Sequence, residues 1–119
     1  MAVRDYTATR PQGGGNVVSY AWSGIAAGDT GQVVDLLGLS GLSGAVQFTA
    51  GASGPLTMTV SLDGTNYETM KDVGGNDVTA AAGTTAYFDI STAALYARPL
   101  GGTSLTGGAV IMVVREALE

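Results

Sequence analysis

Leu56-Thr57-Met58-Thr59-Val60-Ser61-Leu62-Asp63-Gly64-Thr65-Asn66-Tyr67-Glu68-Thr69-Met70-Lys71-Asp72 is the stretch that decides the fold class. Leu56, Met58, Val60 and Leu62 alternate with Thr57, Thr59 and Ser61, and a two-residue period puts the apolar set on one face of a strand and the hydroxyls on the other. Asp63-Gly64-Thr65-Asn66 is then a tight loop, where glycine accepts a positive φ and the aspartate can hydrogen-bond its own backbone. The chain returns antiparallel over 67–72. The expectation is a hairpin with one buried and one wet face.

Strand texture continues outward on both sides. Upstream, 45–50 is a second clear strand, and Val18, Tyr20 and Trp22 alternate with Val17, Ser19 and Ala21, which gathers the aromatic rings on one face. Residues 26–31 turn the chain, 32–37 form a short strand, and 38–44 form a glycine loop whose Leu39 and Leu42 tuck under the core. Downstream, 73–77 is a turn. Residues 78–83 suit a short helical turn or a loose strand, and 85–90 alternates Ala86, Phe88 and Ile90 with Tyr87 and Asp89. Residues 91–95 suit one helical turn, 96–100 is a strand closed by Pro99, 101–108 is a glycine-rich loop, and 109–114 is a last apolar strand.

These are about eight short strands at the spacing of roughly 8–12 residues found in sandwiches and barrels. The fold expected is all-β: an antiparallel, jelly-roll-like β-sandwich over residues 16–119, preceded by an extended N-terminal arm over 1–15. The arm ends Arg10-Pro11-Gln12-Gly13-Gly14-Gly15, where proline blocks a regular ladder and the glycines cost entropy to order.

Composition removes several function classes. The 119 residues hold no cysteine and no histidine. That excludes disulfides, thiolate nucleophiles, zinc-finger sites and hydrolases built on a histidine base. The net charge is −5, and the five basic residues are scattered among ten acidic ones, so no basic stripe can follow a phosphate backbone. No nucleic-acid partner is expected. No segment approaches the ~20 apolar residues of a membrane-spanning helix. Residues 1–20 lack an uninterrupted apolar stretch behind a basic start, so folding in a cytoplasm is expected.

Candidate chemistry is thin. Asp29-Thr30-Gly31 matches the aspartic-protease triplet, but Ala26, Ala27 and Gly28 precede it where bulky apolar residues should seat the loop; a β-turn accounts for it better. Asp72, Asn76 and Asp77 beside Gly74-Gly75 offer oxygens for calcium, yet fall short of the six to eight oxygens that ion takes, and turn chemistry explains them. Glu68 with Asp63 or Asp89 could form a glycosidase-like pair, for which short strands leave little cleft wall. Trp22 and Tyr20 could form a sugar platform; a core stripe is the simpler account. The expectation is a protein that is not an enzyme and needs no cofactor or metal. The charged fraction is 13%, about half the usual ~25%, which leaves too little charge to coat a monomer and points to contact with other chains.

The hairpin 57–70, together with Leu95-Tyr96-Ala97-Arg98-Pro99-Leu100 and Gly107-Gly108-Ala109-Val110-Ile111-Met112-Val113-Val114, resembles small β-sandwich proteins of tailed bacteriophages. In size and texture the chain is most similar to capsid decoration, or cement, proteins. The resemblance covers roughly 31–114. It implies a non-catalytic protein that binds the major capsid protein on the outer surface of the head as a homo-oligomer, often a trimer. Arg4, Tyr6, Arg10 and Pro11 of the arm would then be its capsid-docking residues. A phage tail or baseplate module and a carbohydrate-binding β-sandwich are the alternatives.

Overall fold

A computed structural model describes residues 3–9, 17–35, 43–49, 55–81, 85–91, 95–102 and 108–115. Their strands are β1 (Val3–Arg4), β2 (Tyr6–Thr9), β3 (Val17–Ile25), β4 (Thr30–Gly31), β5 (Val34–Asp35), β6 (Ser43–Thr49), β7 (Leu56–Ser61), β8 (Glu68–Thr69), β9 (Thr79–Ala80), β10 (Thr85–Ser91), β11 (Tyr96–Gly101) and β12 (Gly108–Arg115). Two sheets result. One runs β10-β6-β12-β3-β2, and the other runs β1-β4-β11-β7-β8, with β5 also on β11 and β9 also on β7.

Because β4 and β5 share one neighbour, and β8 and β9 another, the body from β3 to β12 has eight strand positions. The chain changes sheet at every step between them except the β7–β8 hairpin, and the last strands, β11 and β12, insert at the centres of the two sheets. That is a jelly roll, two antiparallel sheets wrapped from one chain. The all-β sandwich expected from the alternation is the fold.

Apolar faces meet in the middle. Trp22, Ile25, Val46, Phe48, Val110 and Met112 of the five-stranded sheet pack against Leu56, Met58, Met70, Val78 and Ala97 of the other, all fully buried. Phe48 and Phe88 meet edge to face at 6.0 Å. Burying rings and long apolar chains in this way supplies most of the favourable free energy available to a domain of this size.

Several local expectations change. In β7 the outward Thr59 and Ser61 are buried, while Leu62 is 71% exposed. The strict alternation fails because both hydroxyls find partners: the loop after β7 folds back so that Ser61 Oγ receives the N–H of Asp63 and of Gly64, and Thr59 Oγ1 donates to Arg98 O on β11 at 2.7 Å. Gly64 takes φ 78°, as the hairpin loop requires. The return arm is shorter than 67–72: β8 gives way after Thr69 to an outward turn over 71–77, and the ladder on β7 resumes where Met58 N–H donates to Val78 O. The stretch 78–83 supplies β9.

Pro99 does not close its strand; β11 runs through it to Gly101 in the interior of its sheet. The gap between β4 and β5 falls opposite Pro99, whose nitrogen has no hydrogen to give. Gly31 lies there against the proline ring and the Trp22 indole, and a Cβ would overlap both. Leu39, Leu42 and most of the turn expected over 91–95 lie outside the described residues.

The arm needs correction where it is described. Residues 3–9 are extended, but they belong to both sheets. β1 pairs parallel with β4 and β2 pairs antiparallel with β3, so the segment crosses from one sheet to the other between Arg4 and Tyr6. Apolar rings on β3 would otherwise face water at this edge. That is the physical reason the segment stays with the body.

Candidate functional site

Of the residues expected to dock a capsid, Arg4 and Tyr6 are described, and Arg10 and Pro11 lie outside the described residues. Arg4 Nε donates to Asp29 Oδ2 at 2.8 Å, and the Ala26 N–H donates to the same oxygen at 3.1 Å. The Tyr6 ring meets Tyr20 edge to face at 5.1 Å and Trp22 at 5.8 Å. Gln32 ties the two strands together: its N–H donates to Arg4 O at 2.7 Å, its Oε1 accepts from Tyr6 N–H at 3.2 Å, and its carbonyl accepts from Trp22 Nε1 at 3.1 Å. Arg4 and Tyr6 therefore hold their own sandwich shut.

Asp29 itself sits in a tight turn, its N–H donating to Ala26 O at 3.0 Å, with its carboxylate buried beneath Arg4. Both contacts suit the turn reading of Asp29-Thr30-Gly31. A catalytic carboxylate in a protease pair faces a second carboxylate, and this one faces a guanidinium.

The other acidic candidates are also engaged. Asp63 accepts from the N–H of Asn66 and of Thr65, from Asn66 Nδ2 and from Ser61 Oγ, all at 2.8–2.9 Å. These donors, led by the Asn66 N–H, hold its carboxyl far below the usual range. Asp72 accepts from the Asn76 and Gly74 N–H groups at 2.8 Å, and the Asn76 N–H is the main cause of its lowered pKa. Asp77 pairs with Lys71. Asp89 accepts from Tyr87 Oη at 2.9 Å, which raises the phenol's pKa. Among the described residues no three acidic side chains gather as metal ligands.

Trp22 is 1% exposed, a core residue with no ring to offer a sugar. Tyr67 lies half-buried on the outside of the seven-stranded sheet with the Arg98 guanidinium 4.0 Å above its ring. Its hydroxyl is buried without a hydrogen-bond partner.

What remains is broad surface. Register places Thr7, Ala21, Ile111, Gln47 and Tyr87 in one row across the outside of the five-stranded sheet, and Thr9, Ser19, Val113, Ala45 and Asp89 in the next. Asp89 is the single charge in the two rows. Sequence alternation identified Tyr87 and Asp89 as outward on their strand. That they line up with Ile111 and Ala21 depends on pairings between distant segments, for which the sequence carried no signal.

The fold and this surface define the class: a small jelly-roll β-sandwich with a filled interior. No family model matches the sequence, and no curated protein matches it. Solved structures that share the fold include the following two. The SPBc2 prophage-derived protein YomS is similar with a TM-score of 0.58 at 7% identity, over 85% of this chain and 95% of that one. A structure of Bacillus endospore appendages, described as disulfide-linked pili, is similar with a TM-score of 0.52 at 18% identity, over 98% of this chain and 91% of that one.

Proposed function

We propose that this chain is a non-enzymatic structural protein of a bacteriophage head. It decorates the outer capsid surface as a homo-oligomer, a trimer in the reading taken from the resemblance, and stabilises the lattice of the major capsid protein. It is made in the host cytoplasm and resides on the virion. The observation that carries this reading is the contrast between inside and outside. Large apolar side chains pack between the sheets, and two rows across the outer face of the five-stranded sheet carry Asp89 as their single charge. An enzyme or small-ligand carrier needs a concave, partly polar pocket. A protein that works by covering another needs broad, weakly charged area. The phage connection rests on the hairpin 57–70 and its companion strands, and the fold shared with a prophage-derived protein agrees with it.

A protein that binds only the mature lattice stabilises it by mass action. Mixed with expanded, undecorated heads of its own phage, the chain should co-sediment with them to saturation and raise the temperature at which heads release DNA. Folded protein that leaves heads bare, and their melting unchanged, would overturn the reading.

A further inference from the structure

The two halves of the five-stranded sheet's outer face differ in side-chain size. On β10 and β6 the outward positions include Tyr87, which is 64% exposed, and Gln47. On β3 and β2 the outward positions with described side chains are Ser19, Ala21, Ser23, Thr7 and Thr9, none larger than threonine. Between the halves, on the central strand β12, Ile111 is 43% exposed.

We propose that this face is the contact between copies of this chain. The large half, β10–β6, of one copy packs on the small half, β3–β2, of the next, with Ile111 at the centre. The proposal rests on the oligomer of the preceding section and gives it a surface. Charge is the first reason. Copies that each carry −5 repel wherever their acidic groups meet, and here each Asp89 would face neutral serine and threonine positions instead of another carboxylate. Size is the second, because a protruding tyrosine and glutamine against alanine and serine give the interdigitation that tight interfaces need. A head-to-tail contact of two unlike halves makes a ring where its rotation closes, and in a ring of three copies the Ile111 side chains come to a common axis.

Light scattering on protein eluting from a sizing column tests this. The wild type should read three times the 11.9 kDa of one chain. Ile111→Lys should read one chain with an unchanged circular dichroism spectrum, its association weakened on the order of 100-fold. Leu100→Lys, on the outside of the opposite sheet, should leave the oligomer intact. If Ile111→Lys does not fold, Thr7→Arg on the exposed edge strand probes the small half independently and should also give one chain. A wild type of single-chain mass at its highest soluble concentration overturns the proposal, as does a folded Ile111→Lys or Thr7→Arg that keeps the oligomer's mass. Head binding measured in parallel separates the two ideas. A monomeric wild type that still coats heads removes this interface and leaves decoration standing. An oligomer that Ile111→Lys disperses, but that never binds heads, does the reverse.

Discussion

On one flank of the sandwich the N-terminal segment crosses between the sheets, and on the other the turn at 71–77 leaves the seven-stranded sheet, touches β10 and returns. At the first, β1 and β2 lie on the edges of opposite sheets, Arg4 meets a buried aspartate, and Tyr6 packs against Tyr20 and Trp22. At the second, Val73 N–H donates to Asp89 O at 3.0 Å, and the turn is held by its own Asp72 and by the exposed Lys71–Asp77 pair. Beneath it Met70 and Val78 already fill the core. The first flank is closed by burial and a charge pair shielded from water, and the second by a self-contained turn laid over a finished core. Closure that buries rings and a carboxylate should matter far more to stability than closure by a solvated loop.

Removing residues 1–9 is the strongest challenge to that contrast. It exposes the Trp22 edge and leaves Asp29 buried without its cation, and should lower unfolding free energy by about 3–5 kcal/mol, much of the ~5–15 kcal/mol typical of a domain. Urea denaturation measures it; a loss under about 1 kcal/mol would erase the difference between the flanks.

Single substitutions sharpen the comparison. Arg4→Ala should cost about 2 kcal/mol, less than a fully buried pair because the arginine side chain is 43% exposed. Lys71→Ala, in a pair whose members are 60% and 53% exposed, should cost at most about 0.5 kcal/mol. Equal losses in parallel melts would contradict the asymmetry.

The smallest effect is acid sensitivity of the turns. Asp63 and Asp72 have folded-state pKa values below the ordinary 3.8, so their contribution is complete above that value and is lost as pH falls below it toward the folded values. Stability should decline with acid below about pH 4, and less steeply in Asp63→Asn and Asp72→Asn, in which the titrating groups are gone. Identical slopes in all three proteins would show that the turns do not couple to folding.

Much of the fold is written locally. The alternations at 18–22 and 85–90 set strand type and which side chains face inward, the alternation at 56–62 set strand type, and Asp63-Gly64 set the β7–β8 hairpin. Errors came where a neighbour distant in sequence intervened. Ser61 read as wet because nothing in β7 announces that the next loop folds back onto it, and Thr59 because its hydroxyl's partner, the Arg98 carbonyl, lies on β11. Pro99 read as a strand end because its tolerance depends on a gap between β4 and β5. Residues 1–15 read as an extended arm, and nothing in them announced that the described part, 3–9, pairs with both sheets, because the partners of Tyr6 lie on β3.

The candidate surface was less legible still. A charged fraction of 13% gave only the expectation that some face meets other chains, and composition names no face. By itself the sequence determined an all-β chain without histidine or cysteine chemistry and with strands of known facing, because side-chain period and residue type are local properties. Tertiary structure alone decided that Arg4 pairs with Asp29, that β12 lies between β3 and β6, and that Tyr87, Gln47, Ile111, Ala21 and Thr7 form one row. Those facts depend on register between segments far apart in the chain, and only packing of the whole core selects that register.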